Sequence, residues 1–334
     1  MQENKVIGGE FEIDPCRKGS FSEMPDTYCY ASGRSALYHI LRSVKVKCVW
    51  LPDYLCISVV EAVKKSGIKY LFYELDSNLD PKFETLSPDE FDAVLLIDYF
   101  GLKDLRPIEN KIASIYPYIV IIEDDVQALF DFCKPINPYV HFRFTSLRKS
   151  LPVPDGGLVN TKHRILTASQ PNSFSQYKLR AGALKYNRTD GSDDSEYLSL
   201  FEKGEDLIDE NYESIMSAES KSLFASCNIS EFQLQRKRNA ECLLNGLAEL
   251  GINIVIPVAD DKTPLFIPIY LEDRNKFRKA MFQHNIFCPV HWPLDGMPVK
   301  KGAEMAEHEL SLIVDQRYTA VDMNRILNIL ADNI

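Results

Sequence analysis

The chain has 334 residues, 45% hydrophobic and 26% charged, and 38 Lys and Arg against 48 Asp and Glu leave a formal net charge of −10. A chain of this length can build one large or two modest cores without disulfide or metal staples. The acidic balance argues against a protein that tracks nucleic-acid backbones and against a basic membrane-surface binder. The eight Cys form no Cys-x-x-Cys pair, so reduced thiols in a cytoplasmic protein are expected, and no metal. The opening MQENKVIGGEFEIDP lacks the apolar stretch of a signal peptide. No apolar run approaches the roughly 20 residues of a membrane helix.

In chain order, Ala31-Ser-Gly-Arg-Ser-Ala-Leu37 comes first. Ser32 or Gly33 caps an expected helix that runs to about Arg42. A Gly-containing turn at a helix start aims free N–H groups at one point, a cup for a phosphate. The Arg34 guanidinium and the Ser35 hydroxyl are candidates to join it. Cys48–Pro52 reads as a strand, and Tyr54 and Cys56 after it are candidates for the same crevice. The spacing predicts a helix over 58–66, ended by Gly67, and strands over 69–74, 93–97 and 118–122. Near-continuous apolar strands separated by helix-length segments indicate a mainly parallel sheet covered on both faces, an α/β fold.

Glu123, Asp124 and Asp125 follow the last of these strands. An acid at the C-terminal end of a parallel strand stands where open α/β sheets bind ligands. The strand-like 141–144 leads to Lys149 and a Pro- and Gly-rich turn, a setting in which loops hold functional groups. The stretch 173–217 is polar and reads as a surface excursion with helices. A long helix over 231–250 carries Arg236-Lys-Arg238, expected on a solvated face. After Gly251 the pattern becomes βαβ-like, with a strand over 265–271 and helices over 274–285 and 318–331. The expected division is a large domain over residues 1–235 and a smaller α+β domain over 236–334.

A phosphate cup, a carboxylate, a strand-end lysine and an aromatic ring on one sheet edge are what pyridoxal 5′-phosphate requires. The amine condenses with the aldehyde, the acid keeps the ring nitrogen protonated, and the helix start holds the phosphate. Here the sequence resembles the DegT/StrS-type sugar-nucleotide aminotransferases, of pyridoxal-phosphate fold type I. Ser32-Gly-Arg-Ser-Ala-Leu37 is similar to that family's phosphate segment, Glu123-Asp-Asp-Val-Gln-Ala128 to its acid segment, and Lys149 with Asp155-Gly-Gly157 to its lysine and glycine turn. Val290-His-Trp-Pro293 and Leu310-Ser-Leu-Ile313 also match, so the likeness runs from about residue 28 to 330. It implies Asp124 as partner of the ring nitrogen, Gln127 against the cofactor, and Lys149 as the cofactor lysine.

The resemblance implies transfer of an amino group from Glu or Gln to a nucleotide-linked keto sugar, in a homodimer serving surface-polysaccharide or amino-sugar synthesis. Where the family often has Ser five residues before the lysine, this chain has Phe144, and Ser146 or Thr145 is the candidate phosphate hydroxyl. Lys178, Arg180, Lys185 and Arg188 are candidates for the nucleotide diphosphate, with Arg34 and Arg148 nearer the cofactor. His291 and Trp292 are candidates to face the sugar. Two other readings stand beside this one: a sugar dehydratase, which the presence of Lys149 disfavours, and a non-enzymatic or regulatory protein on the same scaffold.

Overall fold

The computed structural model describes residues 5–89, 92–189, 193–259, 261–293 and 302–334. The opening residues 1–4 and positions 190–192 of the polar stretch 189–194 lie outside them. Strands β1 (Ile7–Gly8) and β2 (Thr27–Tyr30) precede helix α1 (Gly33–Ser43). The expected alternation follows, with β3 (Cys48–Pro52), α2 (Ile57–Ser66), β4 (Lys69–Tyr73), β5 (Asp92–Ile97), α3 (Arg106–Ile115) and β6 (Val120–Asp124). A short α4 (Leu129–Phe132), β7 (Phe142–Ser146) and β8 (Gly157–Asn160) complete the run.

Strands β2 to β8 form one sheet in the order β2-β8-β7-β6-β5-β3-β4. The pairings from β4 through β3, β5 and β6 to β7 are parallel, while β8 runs antiparallel to both β7 and β2. Every residue of β5 is buried, because helices cover both faces of its parallel ladder. The register pairs Ile97 with Asp124 and Asp124 with Phe144. The C-terminal ends of β5, β6 and β7 therefore meet at one edge. This register also carries β6 through Glu123 and Asp124, beyond the expected end at residue 122, because both backbones still have partners on β5 and β7.

The polar excursion folds into α5 (Ser175–Tyr186), α6 (Ser195–Asp206) and α7 (Ala218–Ala225). Helix α8 (Ile229–Leu250) is capped by Asn228, whose side chain accepts from the Glu231 N–H, and it ends at Gly251 with φ +68°. Next come β9 (Phe266–Tyr270), α9 (Arg274–Gln283), β10 (Ile286–Phe287), α10 (Gly302–His308), β11 (Glu309–Ile313) and α11 (Ala320–Ala331). Strands β9 and β11 pair antiparallel, and β1 returns from the N-terminus to pair with β10. Leu243, Leu247, Ile267, Ile269, Leu312, Met323 and Ile326 form a second core there, joined by Ile7.

Arg236 corrects the expectation of a solvated basic turn on α8. It is fully buried, with Nε donating to Gln316 Oε1 at 2.8 Å and the other nitrogens to the carbonyls of Ser150, Pro264 and Leu265. Neutral acceptors from the loop after Lys149 and from the approach to β9 surround the guanidinium, which lets it leave water.

Candidate active site

A cavity of about 450 Å³ opens at the C-terminal edge of the sheet. The β6 end brings Asp124, and Val126 and Gln127 follow it. The β7 end brings Phe144, Ser146, Arg148 and Lys149. Ser32, Gly33 and Arg34 border it from the start of α1, Cys56 and Ser58 from the start of α2, and His291 and Trp292 from the segment after β10.

Asp124 is 4% exposed, and Oδ1 accepts the Val126 N–H at 2.9 Å. No basic side chain pairs with it among the described residues. Burial alone pushes its carboxyl up to about 7, opposed only by that one N–H. The site thus holds an acid that needs a cationic or N–H partner from the cavity side. Gln127 Oε1 accepts the Phe100 N–H at 2.8 Å, which fixes its amide against the same wall.

Lys149 ends a tight turn, Leu147–Lys149, that follows β7 directly. Its side chain is solvent-accessible through the open cavity that it lines. The adjacent Arg148 guanidinium lowers its pKa most, burial adds to this, and Glu205 and Glu10 oppose it. An amine so placed is more often neutral, and so nucleophilic, than a surface lysine.

The first turn of α1 forms the cup. Ser32 Oγ accepts the Ser35 N–H at 3.1 Å and caps the helix. A Cβ on Gly33 would come 3.2 Å from Val126 Cγ2 and 3.3 Å from Ser146 Cβ, so only glycine leaves this cradle open without displacing either neighbour. Gly157 has a sharper restriction, since its Cβ would stand 2.1 Å from the Ser32 carbonyl oxygen. The glycine turn after Lys149 thus lets β8 run against the loop that presents the cup. Asp155, just before it, accepts from the Ser217 hydroxyl at 3.1 Å and from the Ser217 N–H, which ties that turn to the start of α7.

The chain does not gather every candidate at the cavity. The Ser35 hydroxyl donates to the Tyr212 carbonyl at 2.5 Å, because its place on α1 turns it toward that segment and away from the cup. Thr145 donates to the Asp125 carbonyl at 2.7 Å, which leaves Ser146 as the hydroxyl of β7 that lines the cavity. Tyr54 is buried against Tyr99 and Trp292, with ring centroids 5.7 and 5.1 Å away, and its hydroxyl donates to the His291 carbonyl. It braces the segment that carries His291 and does not line the cavity. Lys178 is buried behind the wall, 2.9 Å from Glu205 and 3.5 Å from Glu10. Arg180 is exposed and pairs with Glu196 at 2.6 Å. Lys185 and Arg188 pair with Glu12 and Asp194. Each of these cations has a nearer carboxylate within its own chain.

Glu10 and Glu205 were not singled out from the sequence, yet they organise the basic side of the site. Glu205 meets Arg148 at 2.9 Å, Lys178 at 2.9 Å and Arg34 at 3.5 Å; burial works to raise its pKa, but Arg148, Lys178 and Lys149 hold its carboxyl far below the usual range. Arg34 also pairs with Asp209 at 2.9 Å. Glu205 sits in a charged helical stretch with no local mark to distinguish it. Arg317 also lines the cavity and is held by Asp315 at 2.8 Å.

Comparison with known proteins finds no matching family model and no matching curated protein. Solved structures do match. The aminotransferase TlmJ from Streptoalloteichus hindustanus superposes with a TM-score of 0.66 at 18% identity, over 92% of this chain and 85% of its own. The putative sugar aminotransferase Spr1654 from Streptococcus pneumoniae, in its PLP form, gives 0.68 at 13% identity, over 95% and 92%. DesI, solved in the presence of its TDP-sugar product, gives 0.63 at 16% identity, over 91% and 79%. The chain therefore has the fold of the pyridoxal-phosphate-dependent aminotransferases. Its structural neighbours are sugar aminotransferases of the DegT/DnrJ/EryC1/StrS type.

Proposed function

We propose that this chain is a pyridoxal-phosphate-dependent aminotransferase that passes an amino group from an amino acid to a keto sugar linked to a nucleotide. The observation that carries the reading is the pairing in one cavity of a buried carboxyl without a basic partner, Asp124, and an amine of lowered pKa, Lys149. The fold of the neighbours supports it, and the TDP-sugar product named for DesI supports the nucleotide-linked substrate. The residues present fit the cofactor. Asp124 would face the ring nitrogen, and the Gly33 and Arg34 amides with the Ser32 and Ser146 hydroxyls would take the phosphate. When bound, the cofactor supplies an electrophilic aldehyde and a ring that withdraws electrons from bonds at the donor's α-carbon.

The chain's own residues do the rest. Asp124 holds a proton at the ring nitrogen by charge. Lys149 Nζ, its pKa lowered by Arg148 and burial, would take a proton from the donor's α-carbon and return it to the carbon on the far side of the shared nitrogen, two bonds away. His291 and Trp292 close the cavity from the C-terminal side and limit water. A homodimer and a place in surface-polysaccharide or amino-sugar synthesis belong to this reading; light scattering that finds an active monomer would remove the first.

The test is a screen of amino donors against the cofactor-loaded protein, read as loss of its visible absorption band. Conversion by Glu or Gln in the wild type, absent in Lys149→Ala, supports the reading. A loaded protein inert to every donor favours the non-enzymatic alternative.

A further inference from the structure

Beside Lys149 the C-terminal unit presents an imidazole whose tautomer is controlled from behind. His291 lines the cavity between Phe100 and Phe266, with ring centroids 5.6 and 5.2 Å away. Its Nδ1 lies 2.8 Å from Ser311 Oγ. Ser311 also bonds Glu309 Oε1, and Glu309 Oε2 accepts the backbone N–H of His291 at 2.7 Å. The three residues close a ring of hydrogen bonds. Glu309 and Ser311 are fully buried on β11, two residues apart and so on one face of the strand.

A hydroxyl has one proton, so the ring has two self-consistent arrangements. With Glu309 ionised, Ser311 donates to the carboxylate and can only accept from the imidazole. His291 then carries its proton on Nδ1 and offers a bare Nε2. With Glu309 protonated, the carboxyl donates to Ser311, Ser311 donates to Nδ1, and Nε2 carries the proton. We infer that Glu309, acting through Ser311, sets whether His291 offers the cavity a hydrogen-bond acceptor or a donor, and so which substrate oxygens it receives. Both are positioning residues. The substrate sense of the inference rests on the aminotransferase reading; the tautomer control does not.

The surroundings permit this. Burial and the nearby Lys149 amine hold His291 at about 3, so the imidazole stays neutral and only its tautomer changes. Burial raises Glu309 to about 8, opposed by Ser311, the His291 N–H and Arg274. Arg274, at the start of α9, donates to the Glu309 carbonyl. Tyr54 bonds the His291 carbonyl, and burial raises both Tyr54 and Cys288, so neither ionises in this range. Tyr270 and His308 stack on each other beside β11. Lys149 also titrates, and the variants separate it from Glu309.

The experiment is ¹⁵N NMR of the full-length chain labelled at histidine, with and without pyridoxal phosphate. The His291 signals are identified by their loss in His291→Gln. In the wild type the protonated and bare ring nitrogens should exchange places between about pH 6 and about pH 10, as Glu309 ionises. Glu309→Gln keeps Lys149 and mimics the protonated acid, so it should hold the Nε2-protonated form at every pH. Ser311→Ala breaks the link, and its tautomer ratio should not respond to pH. An exchange that persists in Glu309→Gln, or a folded wild type fixed in one tautomer across the range, overturns the inference. Neither result depends on turnover, so the aminotransferase reading stands or falls separately.

Discussion

Asp124→Asn removes one charge and keeps the acceptor for the Val126 N–H, so its effect is electrostatic. In the cofactor-free chain burial pushes the carboxyl up to about 7 from its ordinary 3.8. Between these values the folded chain holds a proton that the unfolded chain has released, so stability falls as pH rises through that window. At about 1.4 kcal/mol per pKa unit the penalty is ~4 kcal/mol, complete above about pH 7. Cofactor-free Asp124→Asn should therefore match the wild type near pH 4 and exceed it by up to ~4 kcal/mol near pH 8. Urea unfolding at a series of pH values measures the difference. With pyridoxal phosphate the order should reverse, because a cationic ring nitrogen relieves the wild-type penalty and gives the neutral amide nothing comparable. Transamination should fall about 10²-fold or more if charge at that nitrogen is the main effect. A stability difference that stays flat with pH would show that Asp124 does not carry the burial penalty, and near-normal turnover would move the role to another acid.

Borohydride reduction of the cofactor-loaded protein should fix the label to a peptide containing Lys149; label on another lysine refutes the assignment, and Lys149→Ala should keep its far-UV circular dichroism. Gly157→Ala forces a Cβ to 2.1 Å from the Ser32 carbonyl, so it should lower the melting temperature and weaken cofactor retention together; an unchanged melting temperature would mean that β8 yields easily. Lys178→Met removes a buried ammonium from between two half-buried carboxylates that keep Arg148, and should cost about 1–3 kcal/mol in chemical denaturation. Arg180→Ala, at an exposed pair, should change stability by less than about 0.5 kcal/mol and leave the KM for the keto sugar unaltered; a raised KM would restore Arg180 as a substrate contact.

Much of the frame is legible in the chain itself. The runs at 48–52, 93–97 and 120–122 are apolar without a break, and only a ladder buried on both faces suits them. Ser32-Gly33 marks the start of α1 through its own capping chemistry, and Gly67 and Gly251 mark helix ends through their positive φ. Asp124 and Lys149 are legible for a shared local reason: Asp124 ends β6, Lys149 ends the short turn that follows β7, and parallel strands bring their ends to one edge.

The charges could not be read this way. Nothing near Lys178 in the sequence shows that Glu10 will reach it from 168 positions away, or that Glu205 will bind it and Arg148 together. Arg236 looks like a surface cation until α8 turns it toward the carbonyls of Ser150 and Leu265. The Glu309–Ser311–His291 ring is likewise assembled from two separate pieces of chain, the segment just after β10 and strand β11. Hydrophobic periodicity is a property of neighbours along the chain, so the sequence by itself determines strands, helices and strand ends. A polar side chain takes whichever partner the packed backbone brings within about 3 Å, and that choice belongs to the tertiary structure.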